Sequence, residues 1–155
     1  DGPAGEALAR WVRTNASHLK VNFVGARPHE ALPHYYAAAD MFLFPSRRQE
    51  GLPTAVLEAM ASGLPVVATR SGGTPTAVLH GQTGFLTSIN DQPGLTAALD
   101  ALVRDPETRQ VLGAAGRRYA EETFDVRTVV TQLVKILSER RPAPRSLPSP
   151  IADTK

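Results

Sequence analysis

Two short apolar runs, Met41–Phe44 and Pro65–Ala68, bracket the part of the chain that leaves the fold least freedom. Each is too short for a helix and reads as a buried strand. Between them Pro53 stands where a first helical residue belongs, its missing N–H costing nothing there. After it, Thr54, Glu58 and Ser62 are spaced four apart as one polar stripe, while Val56, Leu57 and Met60 occupy the other faces and anchor the helix on a sheet. A strand, a helix and a second strand in that order pair the strands in parallel through a right-handed crossover.

The same alternation extends along most of the chain. Helical spacing covers Glu6 to Thr14, with Leu8, Trp11 and Val12 on one face. A strand is expected over Lys20 to Val24, a short helix over Ala31 to Ala39, another short helix over Thr74 to Leu79, and a strand over Gly84 to Thr87. Helices alone follow, over Gly94–Arg104, Glu107–Thr123 and Val126–Arg140. The expected class is α/β, a doubly wound parallel sheet covered on both faces, with C-terminal helices. Ligands of such sheets bind at the carboxyl ends of the strands. Gly25, Glu50 and Gly72 all fall on loops leaving strands, at that edge.

The loop and helix after Met41–Phe44 carry the chemistry. Glu50 and Glu58 are separated by seven residues, one in the loop and one on the helix. A helix N-terminus facing the loop offers unpaired N–H groups and partial positive charge, a seat for a diphosphate. Helical side chains lean toward the N-terminus, which directs Glu58 back toward the loop of Glu50. A carboxylate beside a diphosphate is repelled by it and is better used on sugar hydroxyls, as the acidic residue of other doubly wound nucleotide folds is used on ribose.

Further stretches fall in order along the chain: Asp1-Gly2-Pro3, V-N-F-V-G over Val21–Gly25, Tyr36-Ala37-Ala38-Ala39-Asp40 ahead of Phe-Leu-Phe-Pro-Ser, the paired glutamates, Ser71-Gly72-Gly73-Thr74-Pro75, and His80-Gly81-Gln82-Thr83-Gly84-Phe85-Leu86. Together they resemble the C-terminal, donor-binding half of retaining glycosyltransferases of the GT-B fold, in particular the family-four group. Thr54 departs from a frequent Asn, and Thr76 from the Glu that usually follows the proline, which puts in doubt any contact made through that acid.

The resemblance implies a Rossmann-like domain that binds a UDP- or GDP-sugar and serves transfer of the sugar, with retention, to an acceptor alcohol. Glu50 would hold hydroxyls of the transferred sugar and act as the catalytic residue. Amides of Gly51, Leu52 and Thr54 would cradle the diphosphate, Glu58 would bind the ribose diol, and the backbone of Gly25, Ala26 and Arg27 would border the base. No metal or other cofactor is expected; the helix dipole and basic side chains would neutralise the leaving group. Arg47 and Arg48 are close enough in sequence to help, although exposed loop arginines are usually just solvated. The family's first strand of this half, with a phosphate-binding Arg and Lys after it, would precede Asp1, and the acceptor would bind an absent N-terminal domain. These 155 residues alone are therefore expected to be inactive. An epimerase or starch-synthase-like transferase of the same architecture, and a non-catalytic nucleotide-binding domain, are the alternatives.

Other classes are disfavoured by the residues. Histidines 18, 29, 34 and 80 show no H-x-x-x-H pair, and Asp-x-Asp, G-x-G-x-x-G and the P-loop pattern are absent from the sequence. With no cysteine there is neither a disulfide framework nor a thiolate zinc site. The basic balance is local: residues 1–138 hold 13 Lys+Arg and 13 Asp+Glu, so the net +2 lies beyond them. Nucleic acid is rejected as a partner because the body carries no basic stripe. No apolar stretch approaches a membrane span. The expected location is cytoplasmic, with a peripheral position at the inner face of the membrane in the full-length enzyme left open.

The expected organisation is a partial domain over 1–140 and a disordered Pro-rich tail over 141–155. Val126, Val129, Val130, Leu133, Ile136 and Leu137 give the last helix an apolar face expected to be buried, so chains cut before Val126 are expected to be unstable.

Overall fold

The computed structural model describes residues 4–49 and 51–139. The expected tail, residues 141–155, and Arg140 lie outside the described residues, as does Glu50. The chain divides into two compact units, Asp1–Ala39 and Asp40–Lys155.

The first unit holds helix α1 (Gly5–Asn15), a 3-10 turn (His29–Ala31) and helix α2 (Leu32–Ala37). Leu8 and Trp11 of α1 are exposed. The strand expected over Lys20–Val24 does not form: residues 20–28 have no regular structure, and Val21, Phe23 and Val24 are exposed. A strand exists through its ladder partner, and alternation of Val21 and Phe23 marks β propensity without supplying one. The helix expected over Ala31–Ala39 is the 3-10 turn followed by α2, which Pro33 enters in its first turn.

The second unit is built on a three-stranded parallel sheet in the order β1 (Phe42–Phe44), β2 (Val66–Thr69), β3 (Gly84–Thr87). Leu43 pairs with Val67, and Val67 with Phe85, so these three share a face. On it, helix α5 (Gln92–Arg104) sets Leu95, Leu99 and Leu102 around Val67. β2 is buried at all four positions, as a central parallel strand should be.

Helix α3 (Thr54–Ala61) makes the crossover from β1 to β2 and buries Val56, Ala59 and Met60, with Leu57 half-buried. Helix α4 (Thr74–Ala77) follows β2. Helix α6 (Pro106–Phe124) lies against the residues that precede β2 and β3. Its Gly113 stands against the Gly63 carbonyl, and its Gly116 faces the Thr83 carbonyl. The amino edge of the sheet is thus covered by a helix, and the carboxyl edge is left to loops.

Helix α7 (Val126–Glu139) forms where expected, but its apolar face is not buried. Val126 is 69% exposed, Leu133 52% and Leu137 62%. The pattern specified an amphipathic helix; what covers such a face is a separate matter that the helix's own residues do not encode. Among the described residues no helix is long and apolar enough to cross a membrane.

Candidate functional site

The site expected from the sequence sits where β1 gives way to α3. Pro53 is buried and is the N-cap of α3 rather than its first residue, with extended backbone (φ −76°, ψ 112°). Its carbonyl accepts the first helical bonds, from the amides of Val56 (3.1 Å) and Leu57 (3.4 Å). A proline has no side-chain oxygen with which to cap, so the N-terminus of α3 carries no side-chain cap. Thr54 and Ala55 precede the first intrahelical donor, and the helix leaves their amides to other partners. Gly51 and Leu52, immediately before the cap, are exposed.

Glu58 lies one turn into α3, on the row of Thr54 and Ser62. Thr54 and Ser62 are exposed and Glu58 is half-buried. Ser62 closes the helix onto the Glu58 carbonyl through both its amide (3.0 Å) and its hydroxyl (2.8 Å). The second unit therefore brings Gly51, Leu52, Thr54 and Glu58 to one helix end, at the carboxyl edge of the sheet.

Gly25, Ala26 and Arg27 belong to the first unit. There, with Asn22, Phe23 and Glu6, they line an open recess of about 930 Å³. The Arg27 Nε donates to the Tyr35 hydroxyl at 3.0 Å, which fixes the direction of the guanidinium. Arg47 lines a recess of its own, about 270 Å³, with Thr69, Ser88 and the start of α5. Arg48 is exposed and its amide donates to Ser46 Oγ at 3.3 Å. At the position where an acid was missing, Thr76 is exposed and its carbonyl accepts from the Tyr119 hydroxyl at 3.2 Å.

The family model described as "Glycosyl transferases group 1" matches residues 7–119. The chain belongs to the group 1 glycosyltransferases. Its relatives agree with the match. It is 39% identical over 148 residues to a GDP-mannose-dependent alpha-(1-6)-phosphatidylinositol monomannoside mannosyltransferase of Mycolicibacterium smegmatis, covering 92% of this chain and 39% of the relative. It is 43% identical over 124 residues to a D-inositol 3-phosphate glycosyltransferase of Corynebacterium diphtheriae, covering 77% of this chain and 29% of the relative.

Among solved structures, Anabaena HepE in complex with UDP aligns with a TM-score of 0.79 at 28% identity, over 87% of this chain and 36% of that one. Sucrose-phosphate synthase from Thermosynechococcus elongatus aligns with a TM-score of 0.76 at 30% identity, over 88% and 33%. The fold of this group 1 chain is that of the GT-B glycosyltransferases. The chain spans about two-fifths of the length of the first of these relatives.

The structure also shows residues that the spacing of the glutamates did not single out. The segment leaving β2 is bonded to the loop leaving β1 at several points, through Thr69, Gly72 and Gly73 on one side and Ser46, Gln49 and Gly51 on the other. The sequence carries a signal for it in the Ser71-Gly72-Gly73-Thr74-Pro75 turn, whose Gly72 falls on a loop leaving a strand, but nothing local names the partner of that loop.

Proposed function

We propose that the chain is the donor-binding part of a retaining glycosyltransferase that moves a sugar from a nucleoside-diphosphate sugar to an acceptor alcohol. One observation carries this reading: the N-terminus of α3, uncapped by any side chain, opens at the carboxyl end of β1 with Gly51 and Leu52 before it and Glu58 one turn inside. A row of amides with the positive end of a helix dipole suits a diphosphate. A carboxylate one turn further in is far enough to accept from ribose hydroxyls. The HepE structures hold UDP and UDP-glucose, and the mycobacterial relative is named as GDP-mannose-dependent, which supports a nucleotide sugar as donor.

In this reading the chemical task is to stabilise a departing diphosphate and an oxocarbenium-like sugar. Amides already fixed in place do so without reorganising as charge develops. The leaving diphosphate is met by Gly51, Leu52, Thr54 and the dipole of α3, with no metal required of this chain. Glu50 would face hydroxyls of the transferred sugar.

Calorimetry of the complete protein with UDP-glucose and GDP-mannose tests the donor claim: one of them should bind, and its free nucleoside diphosphate should compete. Binding of neither would sink it. Proton NMR of the first-formed product tests retention, with the donor's anomeric configuration expected.

A further inference from the structure

We infer that the turn after β2, Ser71-Gly72-Gly73, acts with the Gln49 side chain as the positioning device for the Gly51–Leu52 amides. This rests on the reading of those amides as a diphosphate cradle. Three hydrogen bonds make the connection. The Thr69 hydroxyl donates to the Ser46 carbonyl (2.5 Å), the Gly72 amide to Gln49 Oε1 (3.1 Å), and the Gly73 amide to the Gly51 carbonyl (3.2 Å). Gln49 and Gly51 are the neighbours of Glu50 on either side in the sequence, so both flanks of that glutamate are anchored to the β2 turn.

Gly73 shows how close the approach is. A Cβ built there would lie 2.8 Å from the Gly51 carbonyl oxygen and 3.0 Å from the Leu52 amide nitrogen. The backbone of Gly73 (φ −80°, ψ 0°) is open to any residue, so glycine is required by contact and not by conformation. Gly72, at φ 49°, turns the chain so that both amides face the β1 loop.

A purely structural role explains this poorly. Gln49 and Gly72 are exposed, and an exposed hydrogen bond adds little to stability. A loop whose amides must meet developing charge gains from being held before the ligand arrives, because a small displacement of a donor costs a large factor in rate or affinity.

The test uses the complete protein and two variants, Gln49→Met and Gly73→Ala. Affinities for UDP and UMP, and for GDP and GMP, are measured by calorimetry alongside melting temperatures. The gain in affinity from monophosphate to diphosphate is expected to shrink roughly three- to tenfold in Gln49→Met. It should shrink about tenfold or more in Gly73→Ala, whose methyl displaces the Gly51 carbonyl.

General destabilisation lowers both affinities together and leaves their ratio intact; that outcome, or wild-type ratios in both variants, overturns the inference. Should Gly73→Ala fail to fold, Gln49→Met decides alone. A wild-type protein that binds no nucleoside diphosphate would instead overturn the cradle reading, and the positioning role with it.

Discussion

Glu58 and Thr54 share a row on α3, and the difference between them is one of charge and burial: Thr54 is exposed, Glu58 half-buried. A half-buried carboxylate accepting from a vicinal diol makes charge-assisted bonds worth roughly 1.5–3 kcal/mol, about ten- to 150-fold in affinity. Glu58→Gln is therefore expected to weaken every ligand that carries the ribose, free UDP and GDP included. Glu50→Gln is expected to act on turnover, since its proposed partner is the sugar being transferred. Calorimetry with free nucleotide and an initial-rate assay separate the two. Equal loss of free-nucleotide affinity in both variants would refute the division. Removing metal with EDTA should leave turnover unchanged if backbone amides carry the diphosphate; loss of activity restored by a divalent cation would count against that assignment.

Helices set the frame on which these residues sit, and α5, α6 and α7 each begin with an aspartate cap, Asp125 of α7 accepting from the Arg127 amide at 2.8 Å. Asp91 accepts from the Gly94 amide at 2.9 Å, and Asp105 from both the amide (3.0 Å) and the hydroxyl (2.6 Å) of Thr108. The hydroxyl and amide of Thr108 hold the Asp105 carboxyl below its usual range. A carboxyl depressed in the folded state stabilises above its unfolded pKa of about 4, and that contribution disappears as pH falls through the folded value. Asp105→Ala should accordingly lower the melting temperature at pH 7, with the difference from wild type narrowing on acidification below pH 4.

Gly113 offers a sharper test of packing. Helix propensity alone favours alanine there by about 1 kcal/mol. A Cβ, however, would stand against the Gly63 carbonyl, whose backbone has no side chain to move aside. Overpacking of roughly 1–3 kcal/mol should win, so Gly113→Ala is expected to destabilise. A raised melting temperature would show that α6 can slide.

The elements of the second unit were legible in the sequence because each carries its own signal: apolar runs at Phe42–Phe44 and Val66–Thr69, and Asp or Pro at helix starts. Of the two strands expected to be buried only the second is, since β1 is an edge strand with Leu43 exposed. The placement of Gly51, Leu52, Thr54 and Glu58 was legible because they follow one another along a loop and the helix after it. What could not be read were relations between distant segments. The ladder that Lys20–Val24 lacks and the grip of Gly72 and Gly73 on the β1 loop both depend on what lies opposite, and no local pattern records that.

Across the whole molecule the two edges of the sheet are treated differently. α6 lies on the segments leading into β2 and β3, while the loops leaving β1 and β2 contain glycines and are tied to each other. A contrast of the same kind separates the helices that close the chain. α6 buries Leu112, Gly113, Gly116 and Ala120, whereas α7 buries no residue. Fully burying a side chain such as Val or Leu contributes about 1.5–3 kcal/mol, and α7 collects little of that from the described residues. Its exposed Val129, Val130, Leu133 and Leu137 instead form an apolar strip of the kind that binds hydrophobic dyes and promotes association. Ending the 155-residue chain after Asp125 should therefore lower its melting temperature by no more than a few degrees, while dye fluorescence and aggregation on concentration both fall. A truncated chain that unfolds outright would show that the α7 strip is buried in solution and that its contacts hold α6 in place.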